Sequence, residues 1–147
     1  MYRIRKSFNL EMAHRLRKAY STACSDCIHG HSYLIELFLT ASWLDDTGMV
    51  LDFGKVKAFT DEVKAKWDHA CFLPEPHKDD ADFFLDDVRS NRHYTLIEEN
   101  ATAEWMAENL FRHLHTFIKA TENTNRVHVA KVRVHETVSG YAEFWEE

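Results

Sequence analysis

The chain has 147 residues, 45% of them hydrophobic and 29% charged, ordinary values for one globular domain with its own core. Its formal net charge of −6 argues against a nucleic-acid partner, whose footprint is basic and clustered, but leaves room for a local basic pocket and an anionic small molecule. The basic start Met1–Lys6 has no apolar stretch behind it, and no apolar run approaches membrane-spanning length, so neither a signal peptide nor a membrane partner is expected.

From Tyr2 to Met12 the chain nearly alternates: Tyr2, Ile4, Phe8, Leu10 and Met12 share one parity, with Lys6 as the misfit. This predicts a half-buried strand, and His14 ends it on the inward side. Residues 15 to 27 have no periodicity and read as a loop. A second strand is predicted from His29 to about Ser42, with Tyr33, Ile35, Leu37 and Leu39 on the parity of His29 and His31.

Asp45-Asp46-Thr47-Gly48 reads as a turn, and Asp52 as an N-cap. Phe53, Val56, Phe59, Val63 and Trp67 then form the apolar stripe of a helix ending near Trp67-Asp68-His69. An irregular excursion at about 74–95 follows, holding both prolines, Asp79-Asp80 and Asp86-Asp87. It is expected to include a short helix and a short strand at His93–Ile97. Asn100 and Thr102 are cap candidates for a second helix carrying Met106, Leu110, Leu114 and Phe117. Ala130, Val132, Val134 and Glu136 share one parity of a third strand, and a last strand runs from Tyr141 to Trp145. The expectation is a single α+β domain over residues 1–147, with an antiparallel sheet covered on one face by helices.

The chemistry concentrates in Cys24-Ser25-Asp26-Cys27-Ile28-His29-Gly30-His31. Residues i and i+2 of a strand point to one side, roughly 6.5 Å apart. His29 and His31 can therefore aim at one point, and His14 on an adjacent strand can join them. Three neutral imidazoles with one open position suit a catalytic zinc; histidines satisfied by hydrogen bonds are the plainer alternative. Cys24 and Cys27 admit several readings: two more ligands of a closed zinc site, a redox pair, a thiolate base near a metal, or small core residues. Cys71, in an apolar run, reads as core. Three cysteines, an odd number without a secretion signal, point to a reducing, cytoplasmic setting.

Two carboxylates stand out. Asp68 beside His69 can hold the imidazole in one tautomer as a proton shuttle, or the pair can simply cap the helix. Glu136, ending an apolar face, needs donors from the protein or from a ligand such as the amino and ring N–H edge of a heterocycle; an exposed edge position is the alternative.

Six segments, in order, resemble the 6-pyruvoyl-tetrahydropterin synthase family, including its bacterial branch of 6-carboxy-5,6,7,8-tetrahydropterin synthases. They are Phe8 through Ala13-His14-Arg15-Leu16, His29-Gly30-His31-Ser32-Tyr33, Gly48-Met49-Val50-Leu51-Asp52-Phe53, Trp67-Asp68-His69, Glu99-Asn100-Ala101-Thr102-Ala103-Glu104 and His135-Glu136-Thr137. The resemblance implies a T-fold, with a four-stranded antiparallel sheet and two helices between strands 2 and 3. It implies homo-oligomers, hexamers built from two trimers. By position it makes His14, His29 and His31 zinc ligands, Asp68 and His69 a proton-relay pair, Glu136 the pterin anchor, and Thr102 and Glu104 part of the pterin site. It also implies a catalytic cysteine shortly before His-Gly-His.

Here Cys24 stands four residues before that motif and Cys27 one, so Cys24 is preferred as the base. The implied reaction converts 7,8-dihydroneopterin triphosphate to 6-carboxy-5,6,7,8-tetrahydropterin, releasing acetaldehyde and triphosphate, in queuosine biosynthesis. Elimination of triphosphate to give 6-pyruvoyl-tetrahydropterin, or zinc and pterin binding without catalysis, are the alternatives.

Overall fold

The computed structural model describes residues 1–75, 94–122 and 125–146. Strand β1 is Tyr2–His14, and a one-turn helix α1, Thr22–Ser25, lies in the segment expected to be loop. Strand β2 is His29–Ala41 and helix α2 is Phe53–Trp67. Two short strands follow, β3 at Cys71–Pro74 and β4 at Tyr94–Ile97. Helix α3 is Ala103–Thr121, strand β5 is Val127–His135 and strand β6 is Tyr141–Phe144.

Among the described residues the sheet has six strands in the order β4-β3-β1-β2-β5-β6. The expected antiparallel set is present as β1, β2, β5 and β6, with α2 and α3 between β2 and β5. The expectation of four strands is corrected by β3 and β4, which extend the sheet beyond β1 and pair in parallel. β4 falls where a short strand was expected at His93–Ile97, although it was not counted into the sheet, whereas β3, only four residues long, is too short to show an alternation of its own. The short helix expected in the excursion, and its acidic pairs, fall in residues 76–93, outside the described residues.

The alternation pattern explains the layers. Leu10, Tyr33, Ile35, Leu37, Val132 and Val134 are buried with Val56, Phe59 and Val63 of α2 and Met106, Leu110 and Leu114 of α3. Burying each large apolar side chain stabilises the fold by roughly 1.5–3 kcal/mol. Asp52 caps α2 by accepting from Gly54 N at 2.5 Å, and Thr102 caps α3 by accepting from Trp105 N at 3.2 Å. Phe53 departs from the predicted stripe: it sits in the first position after the cap and is exposed.

Strand β5 begins three residues before the predicted alternation. Its pairing with β2 is irregular between Phe38 and Leu39, where Lys131 and Val129 are the partners and Ala130 is skipped. Buried residues therefore switch from Val127 to the other parity at Val132 and Val134, a β-bulge that a strict period of two conceals.

Candidate metal centre and adjoining cavity

Strand pairing, rather than any local motif, assembles the three histidines. In the β1–β2 register His14 lies opposite His29, and Met12 opposite His31. The ladder holds the strands tightly at Gly30, where an added Cβ would lie 3.1 Å from the Met12 carbonyl oxygen. The imidazole centroids form a near-even triangle: 4.5 Å for His14–His29, 5.2 Å for His14–His31 and 5.1 Å for His29–His31.

Backbone carbonyls orient two of the rings. His14 Nδ1 donates to Ala101 O at 2.7 Å, and His29 Nδ1 donates to Cys27 O at 3.1 Å. Both Nδ1 protons being committed, the Nε2 lone pairs of His14 and His29 meet at 2.9 Å. Such an arrangement repels unless a proton or a cation lies between. One ring nitrogen from each of His14, His29 and His31 falls within 4.8 Å of the others, and among the described residues this is the one cluster able to hold a metal. Imidazoles sharing a tetrahedral zinc have nitrogens about 3.3 Å apart, from Zn–N bonds near 2.0–2.1 Å. The donor set and its spacing therefore fit zinc.

Burial suits the same role. His14 is 1% exposed, and burial lowers its pKa, against the pull of the Ala101 hydrogen bond and with further lowering by His29. It is kept as the neutral ligand form. Tyr33, on the parity of His29 and His31, reaches His14 Nδ1 at 3.3 Å and donates to Glu136 Oε1 at 3.4 Å. Burial, then the Glu136 carboxylate, push the Tyr33 phenol up, so it remains a donor.

Glu136 lies just past β5, its Oε1 3.8 Å from Nε2 of both His14 and His31. The turn that follows it is closed by Glu136 N–H to Gly140 O at 3.2 Å and by Gly140 N–H to Thr137 Oγ1 at 3.0 Å. Glu136 opens onto a cavity of about 300 Å³ that Leu16, Thr102, Glu104 and Tyr141 also line. The sequence-predicted residues Thr102, Glu104 and Glu136 are thus brought to one cavity.

Asp68 and His69 form a pair despite being adjacent. His69 has a left-handed backbone, φ 60°, which turns its ring back so that Nδ1 lies 3.1 Å from Asp68 Oδ2. The other carboxylate oxygen accepts from Glu11 N at 2.9 Å, and His69 N–H donates to Glu11 O at 2.6 Å. The pair is therefore pinned to β1 three residues before His14, with the His69 side chain 74% exposed.

The thiols take a different place. Neither Cys24 nor Cys27 belongs to the metal-binding cluster, which counts against the closed two-cysteine, two-histidine site. All three cysteines are free. Cys24 sits half-buried in α1, and Cys27 is exposed and contributes its carbonyl to His29. Burial pushes the Cys71 thiol up to about 11, in keeping with a core role.

Glu11, Leu16 and Ala101 lie within the matching family segments, but the sequence assigned them no role. Tyr33 was legible by parity, whereas the Ala101 carbonyl reaches His14 across 87 positions and leaves no local signal.

The sequence profile of the 6-pyruvoyl tetrahydropterin synthase family matches residues 3–147. A 6-carboxy-5,6,7,8-tetrahydropterin synthase from Helicobacter pylori strain J99 is 30% identical over 145 residues, covering 95% of this chain and 70% of that protein. The protein of that name from Bacillus subtilis is 26% identical over 140 residues, covering 95% and 82%. Among solved structures, an uncharacterized protein from Wolinella succinogenes superposes with a TM-score of 0.79 at 18% identity, over 99% of this chain and 98% of that one. The Plasmodium vivax 6-pyruvoyltetrahydropterin synthase gives 0.71 at 18% identity, over 98% of each chain. These last two likenesses show the fold, and the profile match over nearly the whole chain places this protein in the 6-pyruvoyl tetrahydropterin synthase family.

Proposed function

We propose that this protein is a zinc-dependent lyase converting 7,8-dihydroneopterin triphosphate to 6-carboxy-5,6,7,8-tetrahydropterin, with release of acetaldehyde and triphosphate. The observation that carries the reading is the convergence of three imidazoles beside Glu136, which also lines a cavity. Relatives in Helicobacter and Bacillus bear the name of that synthase, which favours cleavage of the side chain over simple elimination of triphosphate.

His14, His29 and His31 hold the zinc, which when bound supplies a Lewis-acid charge beside the carbon that loses its proton. Glu136 anchors the heterocycle by accepting from its amino and ring N–H groups, two charge-assisted bonds that fix its orientation. Thr102 and Glu104 border the same cavity and complete its polar lining. Cys24, as thiolate, takes the proton from the side-chain carbon. His69, held in one tautomer by Asp68, moves protons on the opposite side. The active assembly is a homo-hexamer of two trimers, working in the cytoplasm, where three free cysteines stay reduced. No helix among the described residues is long and apolar enough to cross a membrane.

Incubating zinc-loaded protein with dihydroneopterin triphosphate and identifying what leaves tests the reading. Acetaldehyde with a carboxypterin supports it. A pyruvoyl product replaces it with the elimination reaction, and binding without turnover replaces it with a pterin-binding role.

A further inference from the structure

We propose that Asn100 is a positioning residue whose side-chain amide clamps the segment 15–27, and with it Cys24, to the stretch that orients His14 of the three-histidine centre. The importance given to the thiol rests on the functional reading above; the clamp itself rests on geometry.

Asn100 Oδ1 accepts from Arg17 N–H at 2.6 Å, and Asn100 Nδ2 donates to Arg17 O at 2.9 Å. One side chain thus copies a two-bond strand pairing, across 83 positions of sequence. The amide orientation is fixed by its partners, because exchanging O and N would set donor against donor and acceptor against acceptor.

What this holds is more than one residue. Leu16 N–H donates to Cys24 O at 2.9 Å, and Arg15 Nε donates to Ser25 O at 2.6 Å. The start of the segment is therefore fastened to α1, and fixing Arg17 fixes the backbone that carries Cys24. A further backbone attachment, Arg15 N–H to Phe72 O at 3.3 Å, lies two residues closer to the sheet. Leu16, between the two attachments, lines the cavity together with Thr102 and Glu136.

The neighbours of Asn100 tie the clamp to the site. Ala101 gives its carbonyl to His14 Nδ1, and Thr102 caps α3. Three consecutive residues thus set the thiol segment, a metal ligand and a helix start in one frame. A displacement near 1 Å of a reacting group can cost about 100-fold in rate, so such a frame bears directly on turnover.

The test compares zinc-loaded wild type with Asn100→Ala and Asn100→Asp. The aspartate variant keeps an acceptor for Arg17 N–H but loses the donor to its carbonyl, and serves if the alanine variant fails to fold. Alkylation of Cys24 by iodoacetamide is followed by residue-resolved mass spectrometry, alongside zinc content, kcat and KM. Losing about 1 kcal/mol of hydrogen bonding makes local opening about fivefold more populated. The expected result is a Cys24 alkylation rate raised by about that factor, with kcat lowered about 10- to 100-fold and zinc content and KM nearly unchanged. A lowered melting temperature with unchanged Cys24 alkylation and unchanged kcat in the folded fraction overturns the proposal. If wild type makes no pterin product, the functional reading fails, while the alkylation comparison still decides the clamp.

Discussion

His14 Nε2 and His29 Nε2 face each other at 2.9 Å, with both opposite ring nitrogens committed to backbone carbonyls. This contact makes sense around a cation. Substituting His29→Ala is expected to lower zinc affinity by more than about 100-fold, beyond the 10–100-fold that follows loss of a ligand's supporting partner. Isothermal titration measures it. At a free zinc concentration 100 times Kd, the wild type gains about 2.7 kcal/mol of stability, and a chelator removes the gain. A melting temperature indifferent to zinc would sink the metal assignment.

The Asp68–His69 pair predicts a specific tautomer effect. In Asp68→Asn an oxygen can still accept from Glu11 N, but an amide N–H then faces His69 Nδ1 and favours the other tautomer. Turnover is expected to fall by about 10²–10⁴-fold, the range for loss of a general acid or base. Zinc content should stay the same. Equal activity in wild type and variant removes the pair from the mechanism.

Cys24 and Cys27 are separable by substitution. Cys24→Ala is expected to reduce kcat by at least about 10²-fold, with zinc still bound. Cys27→Ala should keep most activity, because its contact with the metal centre runs through its backbone carbonyl. The reverse ranking would move the base to Cys27.

Glu36 lies on the sheet face away from the helices yet is only 4% exposed. Arg5 meets it at 2.6 Å, His135 at 2.8 Å and Arg133 at 3.4 Å. Burial raises its pKa, but the His135 hydrogen bond and the charges of Arg5 and Arg133 outweigh that, and the net shift is downward. A carboxylate with a lowered folded-state pKa contributes stability above its unfolded pKa of about 4.3, and that contribution is lost as pH falls through the folded value. Glu36→Gln should therefore cost about 1–3 kcal/mol at pH 7. The difference from wild type should shrink below pH 4, as chemical denaturation at a series of pH values can show. A gap that stays constant into acid would contradict the linkage.

Much of this protein was readable from residue order because its long elements bury one face. Parity placed His14, His29 and His31 on the inward side of two strands, and the antiparallel register then set His14 opposite His29. Asp52 and Thr102 marked helix starts, since a short polar side chain before an apolar stripe has one economical use there. The six family motifs carried the functional expectation further than spacing alone could.

Other features depended on contacts between residues distant in sequence. β3 exists because β1 offers a parallel edge, and its four residues show no alternation that would announce it; the short strand expected near Ile97 is β4, but only the tertiary structure seats it on β3 as part of the same sheet. The bulge at Ala130 shifts the inward parity of β5, which only pairing with β2 reveals. His14 owes its orientation to Ala101, and residues 15–27 are anchored by Asn100, 87 and 83 positions away respectively. Periodicity reports which side of an element faces the core. Which carbonyl meets which imidazole is decided by the packing of whole elements, and here that decision builds the site.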